Sequence, residues 1–325
     1  MARRGAVLNR PIRQPAWGLP RALPGVAWLL VALVATACAG PIPTPAPSRG
    51  GPSGSAPPGS SPAASSGPTV GAIEHRTGAT DVILRIEQGG GFVPIDFLAT
   101  QAPGFTLYGN GVIVFQQATP IFPQPDANGV VKGVPWRTAS LDERQIQDLL
   151  EFALGRGGLG TARELYMANG VADAPDTIFT IHAGGVDKTV VVNALGIDSQ
   201  SGPDSVARAA FSALAARLRD FDRGGSIGSD VYQAERYRGV LTQRDAATSG
   251  AVQWPWPAID PAAFKPGPND GTGGPTLPHR TMSPADVAIL GLPGIEGGIQ
   301  GLTLRGPDGK TYGFILRPLL VDEKE

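Results

Sequence analysis

The chain has 325 residues, with 27 Lys and Arg against 28 Asp and Glu, a formal charge of −1 at neutral pH. Five of the arginines lie within the first 21 residues, so the remainder is distinctly acidic, which argues against nucleic acid as a partner. One cysteine excludes a disulfide framework, and stability must come from the core.

Arg3, Arg4, Arg10, Arg13 and Arg21 precede an apolar run from Val26 to Cys38, and no acidic residue occurs before Glu74. A basic head, a short apolar stretch and small residues at its end are the layout of a secretory signal. The run is shorter than the roughly 20 apolar residues that a bilayer span takes. Ala35, Thr36 and Ala37 lead directly into Cys38. This string resembles the lipobox of bacterial lipoproteins, with Ala35 where that family usually has Leu. The resemblance implies that residues 1–37 are a signal peptide and that the Cys38 thiol carries a diacylglyceryl group. It implies a protein anchored by lipid to the cell membrane, on its extracytoplasmic face. Two or three acyl chains, at ~0.8 kcal/mol per buried CH₂, would hold it firmly.

Residues 39–69 are Pro, Gly, Ser, Ala and Thr, with Ile42 and Arg49 as exceptions. No core can form from that composition, so residues 38–79 read as the anchor cysteine and a disordered linker. Order is expected from Thr80, leaving enough chain for one large domain or two small ones.

Val82, Leu84 and Ile86 alternate with Ile83, Arg85 and Glu87, the pattern of a strand that ends at Gly89-Gly90-Gly91. Phe105–Tyr108 and Val112–Phe115 flank Gly109-Asn110-Gly111, a strong hairpin signal. Ser140-Leu141-Asp142-Glu143 has the form of a capping box. The helix behind it would place Ile146, Leu149, Leu150, Ala153 and Leu154 on one face. A second hairpin is expected over Ile178–His182 and Thr189–Asn193, turning at Gly184-Gly185. A second helix is expected from about Asp204 to Phe221, burying Ala207, Phe211, Leu214, Leu218 and Phe221.

From Gly224 the texture loosens through Trp254-Pro255-Trp256-Pro257 and a Gly/Pro-rich stretch. Ser283-Pro284 opens a short helix, and Leu302–Arg305 with Thr311–Leu316 make a third hairpin. The fold class expected is α+β: antiparallel hairpins forming a sheet with two main helices on one face. Residues 80–223 would be that domain, and 224–325 a helix and hairpin segment packed on it as one body.

Three strings resemble uncharacterised secreted lipoproteins of high-GC bacteria: Gly89-Gly90-Gly91-Phe92-Val93-Pro94, Leu107-Tyr108-Gly109-Asn110-Gly111 and Arg317-Pro318-Leu319-Leu320-Val321-Asp322-Glu323. That likeness implies no activity and transfers no site residues.

His75, His182 and His279 have no companion at metal-ligand spacing, so no metal or cofactor is expected. No nucleophile elbow surrounds a serine, and Cys38 is committed to the anchor. Asp173, Asp176 and Asp187 cluster around the second hairpin and read as turn and cap residues. Trp136, Trp254 and Trp256 are the candidate binding aromatics, weighed against a role as core plugs. The leading expectation is a non-enzymatic module that binds an envelope protein or glycan. The rivals are an envelope hydrolase that works through a carboxylate pair and a structural cell-wall spacer.

Overall fold

The computed structural model describes residues 71–91, 94–119, 121–168, 170–197, 202–223, 227–244, 250–267 and 277–324. The apolar run, Cys38 and residues 39–69 lie outside the described residues.

An eight-stranded sheet is built from β1 (Val82–Gly90), β2 (Phe105–Tyr108), β3 (Val112–Gln116), β5 (Trp136–Ser140), β6 (Leu165–Tyr166), β7 (Pro175–Ala183), β8 (Val186–Asn193) and β9 (Asp230–Val231). Their order is β6-β8-β7-β1-β2-β3-β5-β9, antiparallel except for β6 on β8. A seven-stranded sheet takes β10 (Tyr237–Arg244), β11 (Val252–Gln253), β12 (Lys265–Pro266), β13 (Pro278–Met282), β14 (Ile299–Arg305) and β15 (Thr311–Pro318). Its seventh strand is β4 (Val131–Lys132), which pairs with β14. Four α-helices are described: α1 (Ile95–Thr100), α2 (Glu143–Leu154), α3 (Ser205–Arg219) and α4 (Pro284–Ala288). The fold is α+β.

Strand alternation sends the first sheet's side chains into two different cores. Ile86, Phe105, Leu107, Ile113, Phe115, Phe179 and Ile181 pack with Leu149, Leu150, Phe211 and Leu214 of α2 and α3. Their alternates Tyr108, Val114 and Trp136 pack with Leu241, Phe314 and Leu316 of the second sheet. The result is three layers: helices, sheet, sheet. Val82 departs from the expected face, because a bulge between Val82 and Leu84 turns it toward the second core.

Each sheet holds a strand from the other half of the chain: β4 lies in the second sheet and β9 in the first. The 223/224 division is therefore not a boundary in space. Close backbone contact makes the crossing of β4 feasible, since a Cβ on Gly133 would lie 2.2 Å from the Gly297 carbonyl oxygen. The body also begins earlier than Thr80. His75 forms a bridge with Ala183, and the Ile73 amide donates to Gln147 Oε1 at 2.7 Å. Residues 71–79 thus belong to the packed structure rather than to the linker.

Helix α2 starts two residues later than its capping signal suggested. Ser140 is committed to the β3–β5 ladder opposite Val112, so the cap falls to Asp142, with Gln145 completing the box. The longest of the strands missing from the sequence reading is β10, which lies between β13 and β15. Gly239 interrupts its apolar pattern because Met282, Phe314 and Phe264 crowd that position, where a Cβ would come within 2.5–3.2 Å of them.

The string Arg317–Glu323 ties the two sheets together. Asp322 accepts from Arg85 Nη2 at 2.7 and 2.8 Å and from the Tyr108 hydroxyl at 2.6 Å. Glu323 accepts a fork from Arg317 at 2.6 and 3.0 Å and the Leu320 amide at 2.7 Å. The Glu323 carbonyl takes Arg236 Nη2, and the Leu319 carbonyl takes the Tyr232 hydroxyl. Removing one partner of a buried ion pair costs about 3–5 kcal/mol because the other charge is stranded. Asp322→Ala should therefore lower unfolding stability by that order in urea titration. Burial works to raise the Glu323 carboxyl, but the bonds and charge of Arg317 and the Leu320 amide outweigh it and hold the carboxyl below its ordinary value. Its contribution is present above about pH 4.3 and is lost as pH falls through the depressed folded value. Glu323→Gln should destabilise the protein at pH 6 and flatten the acid limb of a stability–pH curve.

Candidate functional site

The polar cleft of interest forms where the first sheet is incomplete. The Gly104 amide donates to the Ile86 carbonyl at the last rung between β2 and β1, while β1 runs on beside β7 to Gly90. A cavity of about 430 Å³ opens in that notch. Its walls come from β1 (Ile86, Glu87, Gln88), the end of α1 and the turn after it (Thr100, Gln101, Ala102), Gly104, Gln116 of β3 and Arg219 of α3.

Amides dominate the lining, and the two charges differ in sign. Glu87 is half-buried, and no hydrogen bond to its carboxylate is found among the described residues. Burial pushes its carboxyl up from the ordinary range; the charges of Glu323 and Asp322 add to this, while Arg85 and Arg317 oppose it. The two acids nearest in effect are already satisfied by Arg85 and Arg317. Among the described residues Arg219 makes one long contact, 3.5 Å, to Thr177 Oγ1. The cleft is therefore lined by a poorly solvated carboxyl and, from the helical layer, a guanidinium without a carboxylate partner among the described residues, together with three glutamines. A glycosidase-type mechanism needs two carboxyls about 5–9.5 Å apart across the bond that breaks. Among the described residues Glu87 is the one carboxylate on this wall.

The residues singled out from the sequence fall elsewhere. Trp136 and Trp256 are 4% and 1% exposed, so they are core plugs and not a binding platform. Trp256 Nε1 donates to the Asp286 carbonyl, and its ring lies 5.1 Å from Phe314. Trp254 is half-buried, with Nε1 turned inward to the Trp256 and Ile259 carbonyls. Trp136 reaches the second core from β5, and Trp254 and Trp256 reach it from the irregular segment, where they pack with Phe264 and Phe314.

The aspartates do not converge either. Asp176 accepts from Asn193 Nδ2, whereas Asp187 contacts His182 Nδ1 at 2.8 Å. Those two pairs lie six residues apart along β7, about 20 Å of strand. Asp173 sits in a turn with φ +57°. His75 contacts Glu143 at 3.3 Å, and His279 lies against the Leu277 carbonyl. No group of three or more His, Cys, Asp or Glu able to hold a metal ion occurs among the described residues. Cys38 lies outside them.

Glu87 was visible in the sequence only as the polar alternate of a strand. Its exposure to a cleft depends on β2 starting at Phe105, a fact of topology. Since the folded carboxyl titrates above its ordinary value, Glu87 contributes fully to stability only below about pH 4.3, and that contribution is lost as pH rises through the folded value. Glu87→Gln should accordingly be more stable than the parent at pH 7.5 and equal to it at pH 4, compared by urea midpoints. No protein-family model, curated protein or solved structure matches the chain.

Proposed function

We propose that this chain is a lipid-anchored protein of the extracytoplasmic envelope. Its body is a binding module whose ligand seat is the Glu87–Arg219 cleft. The observation that carries the reading is the presence, in the lining of one cleft with three glutamines, of a half-buried carboxyl and a guanidinium that do not satisfy each other. Such a lining suits a hydrophilic ligand that brings both donors and acceptors, as a peptide or a glycan does. A buried group kept at a cost to stability is characteristic of sites selected for binding.

The anchor part of the reading rests on the Val26–Cys38 string. Cys38 and Gly71 are 33 positions apart, and a Pro/Gly/Ser-rich chain of that length reaches roughly 30 Å as a coil and about 100 Å as polyproline II. The body could then meet ligands well clear of the lipid surface.

Two measurements test the two parts separately. Cells fed radiolabelled palmitate should label the parent protein and not Cys38→Ala; an unlabelled parent would sink the anchor. A photoreactive residue placed at Gln88 should capture a discrete envelope component in intact cells, and capture should fall at least tenfold when Glu87→Ala and Arg219→Ala are added. Capture that ignores both substitutions would remove the cleft from the binding function.

A further inference from the structure

On the helical layer, away from the cleft, two cavities of about 700 and 370 Å³ adjoin each other between α2 and α3. Asp148 and Arg217 stand on the walls of both, Arg223 on the larger and Arg156 on the smaller. The Phe152 ring carries two guanidinium groups, Arg217 at 4.4 Å and Arg156 at 5.1 Å from its centre. A guanidinium stacked on a ring has its plane fixed while its N–H edge stays free to donate.

None of these three arginines forms an ion pair with a carboxylate among the described residues. Partial burial holds Arg217 below its ordinary value, and the charges of Arg156 and Arg223 depress it further, each outweighing the opposing pull of Asp148. The groove thus gathers three guanidinium groups on adjoining walls that also carry Asp148, Glu151 and Asp220. Like charges held together cost stability, and Asp148 offsets that cost at Arg217 only in part.

We propose that the α2–α3 groove binds a single phosphate group through Arg156, Arg217 and Arg223. A carboxylate accepts one guanidinium fork, whereas a phosphate has oxygens for several, which matches three arginines on adjoining walls. Asp148, Glu151 and Asp220 on the same walls repel a long polyanion, so the fit is to an isolated phosphate and not to a nucleic acid or a polyphosphate. A lipid headgroup and free phosphate share this chemistry.

The test follows thermal unfolding of the detergent-solubilised full chain with two probes. One is inorganic phosphate against chloride at matched ionic strength. The other is dihexanoyl phosphatidylglycerol below its micelle concentration. A saturable rise in Tm with either probe is expected, with apparent affinity at least tenfold weaker in Arg217→Ala and also weakened in Arg217→Lys, which keeps charge but loses the fork. Phe152→Leu, which retains all three charges, should weaken binding by releasing the stacked planes. A rise with the lipid alone assigns the site to a headgroup, and a rise with phosphate alone assigns it to the free ion. No rise with either probe, or a rise that persists unchanged in both Arg217→Ala and Arg223→Gln, overturns the proposal. Arg217 and Arg223 are surface side chains, so these variants should fold as the parent does.

Discussion

The contact on which the rest of the structure depends is the one between Asp322 and the pair Arg85 and Tyr108. The first sheet has a polar row on the face that meets the second sheet: Arg85, Thr106 and the Tyr108 hydroxyl. Left alone, those groups would face an apolar neighbour, which is costly for a neutral donor and prohibitive for a charge. Asp322 satisfies two of them, and Arg85 Nε reaches Thr106 Oγ1 itself. Glu323 does the same for Arg317 on the other side. The Tyr108 hydroxyl is held far above its ordinary value by burial and by its bond to Asp322, so it stays protonated and donates at any physiological pH. Two consecutive acids, facing opposite sheets, thereby turn an interface that would repel apolar packing into one that holds it.

The same charge field bears on the cleft. The charges of Glu323 and Asp322 add to burial in pushing the Glu87 carboxyl up. Structural clasp and candidate ligand seat are therefore electrostatically linked, and a change in one alters the protonation of the other. The Arg groove is built from α2, α3 and the loops that follow them.

Much of the fold was legible in the sequence because local rules fixed it. Three hairpins announced themselves through Asn-Gly or Gly-containing turns between alternating runs, and α2, α3 and α4 through caps and apolar stripes. What was not legible depended on contacts between distant segments. β10 was hidden because Gly239 yields its space to Phe314 and Met282. The start of α2 moved because Ser140 was already claimed by β3. The tryptophans read equally as platform or plug, and only the second sheet decided between them. The cleft had no signature at all, since it arises from where one strand stops short of another. The Arg317–Glu323 string was conspicuous in the sequence, but its role was not, because its side-chain partners outside the string lie 87 to 237 positions away.

That separation has a consequence for how the molecule comes into being. Arg85 and Asp322 are 237 residues apart. At about 5–20 residues per second, the ribosome makes Arg85 roughly 10–50 s before its partner exists. During that interval the first sheet can collect its helices but cannot bury its polar row, and β4 has no β14 on which to lie. The nascent chain is held by chronology in an open form until its closing residues arrive.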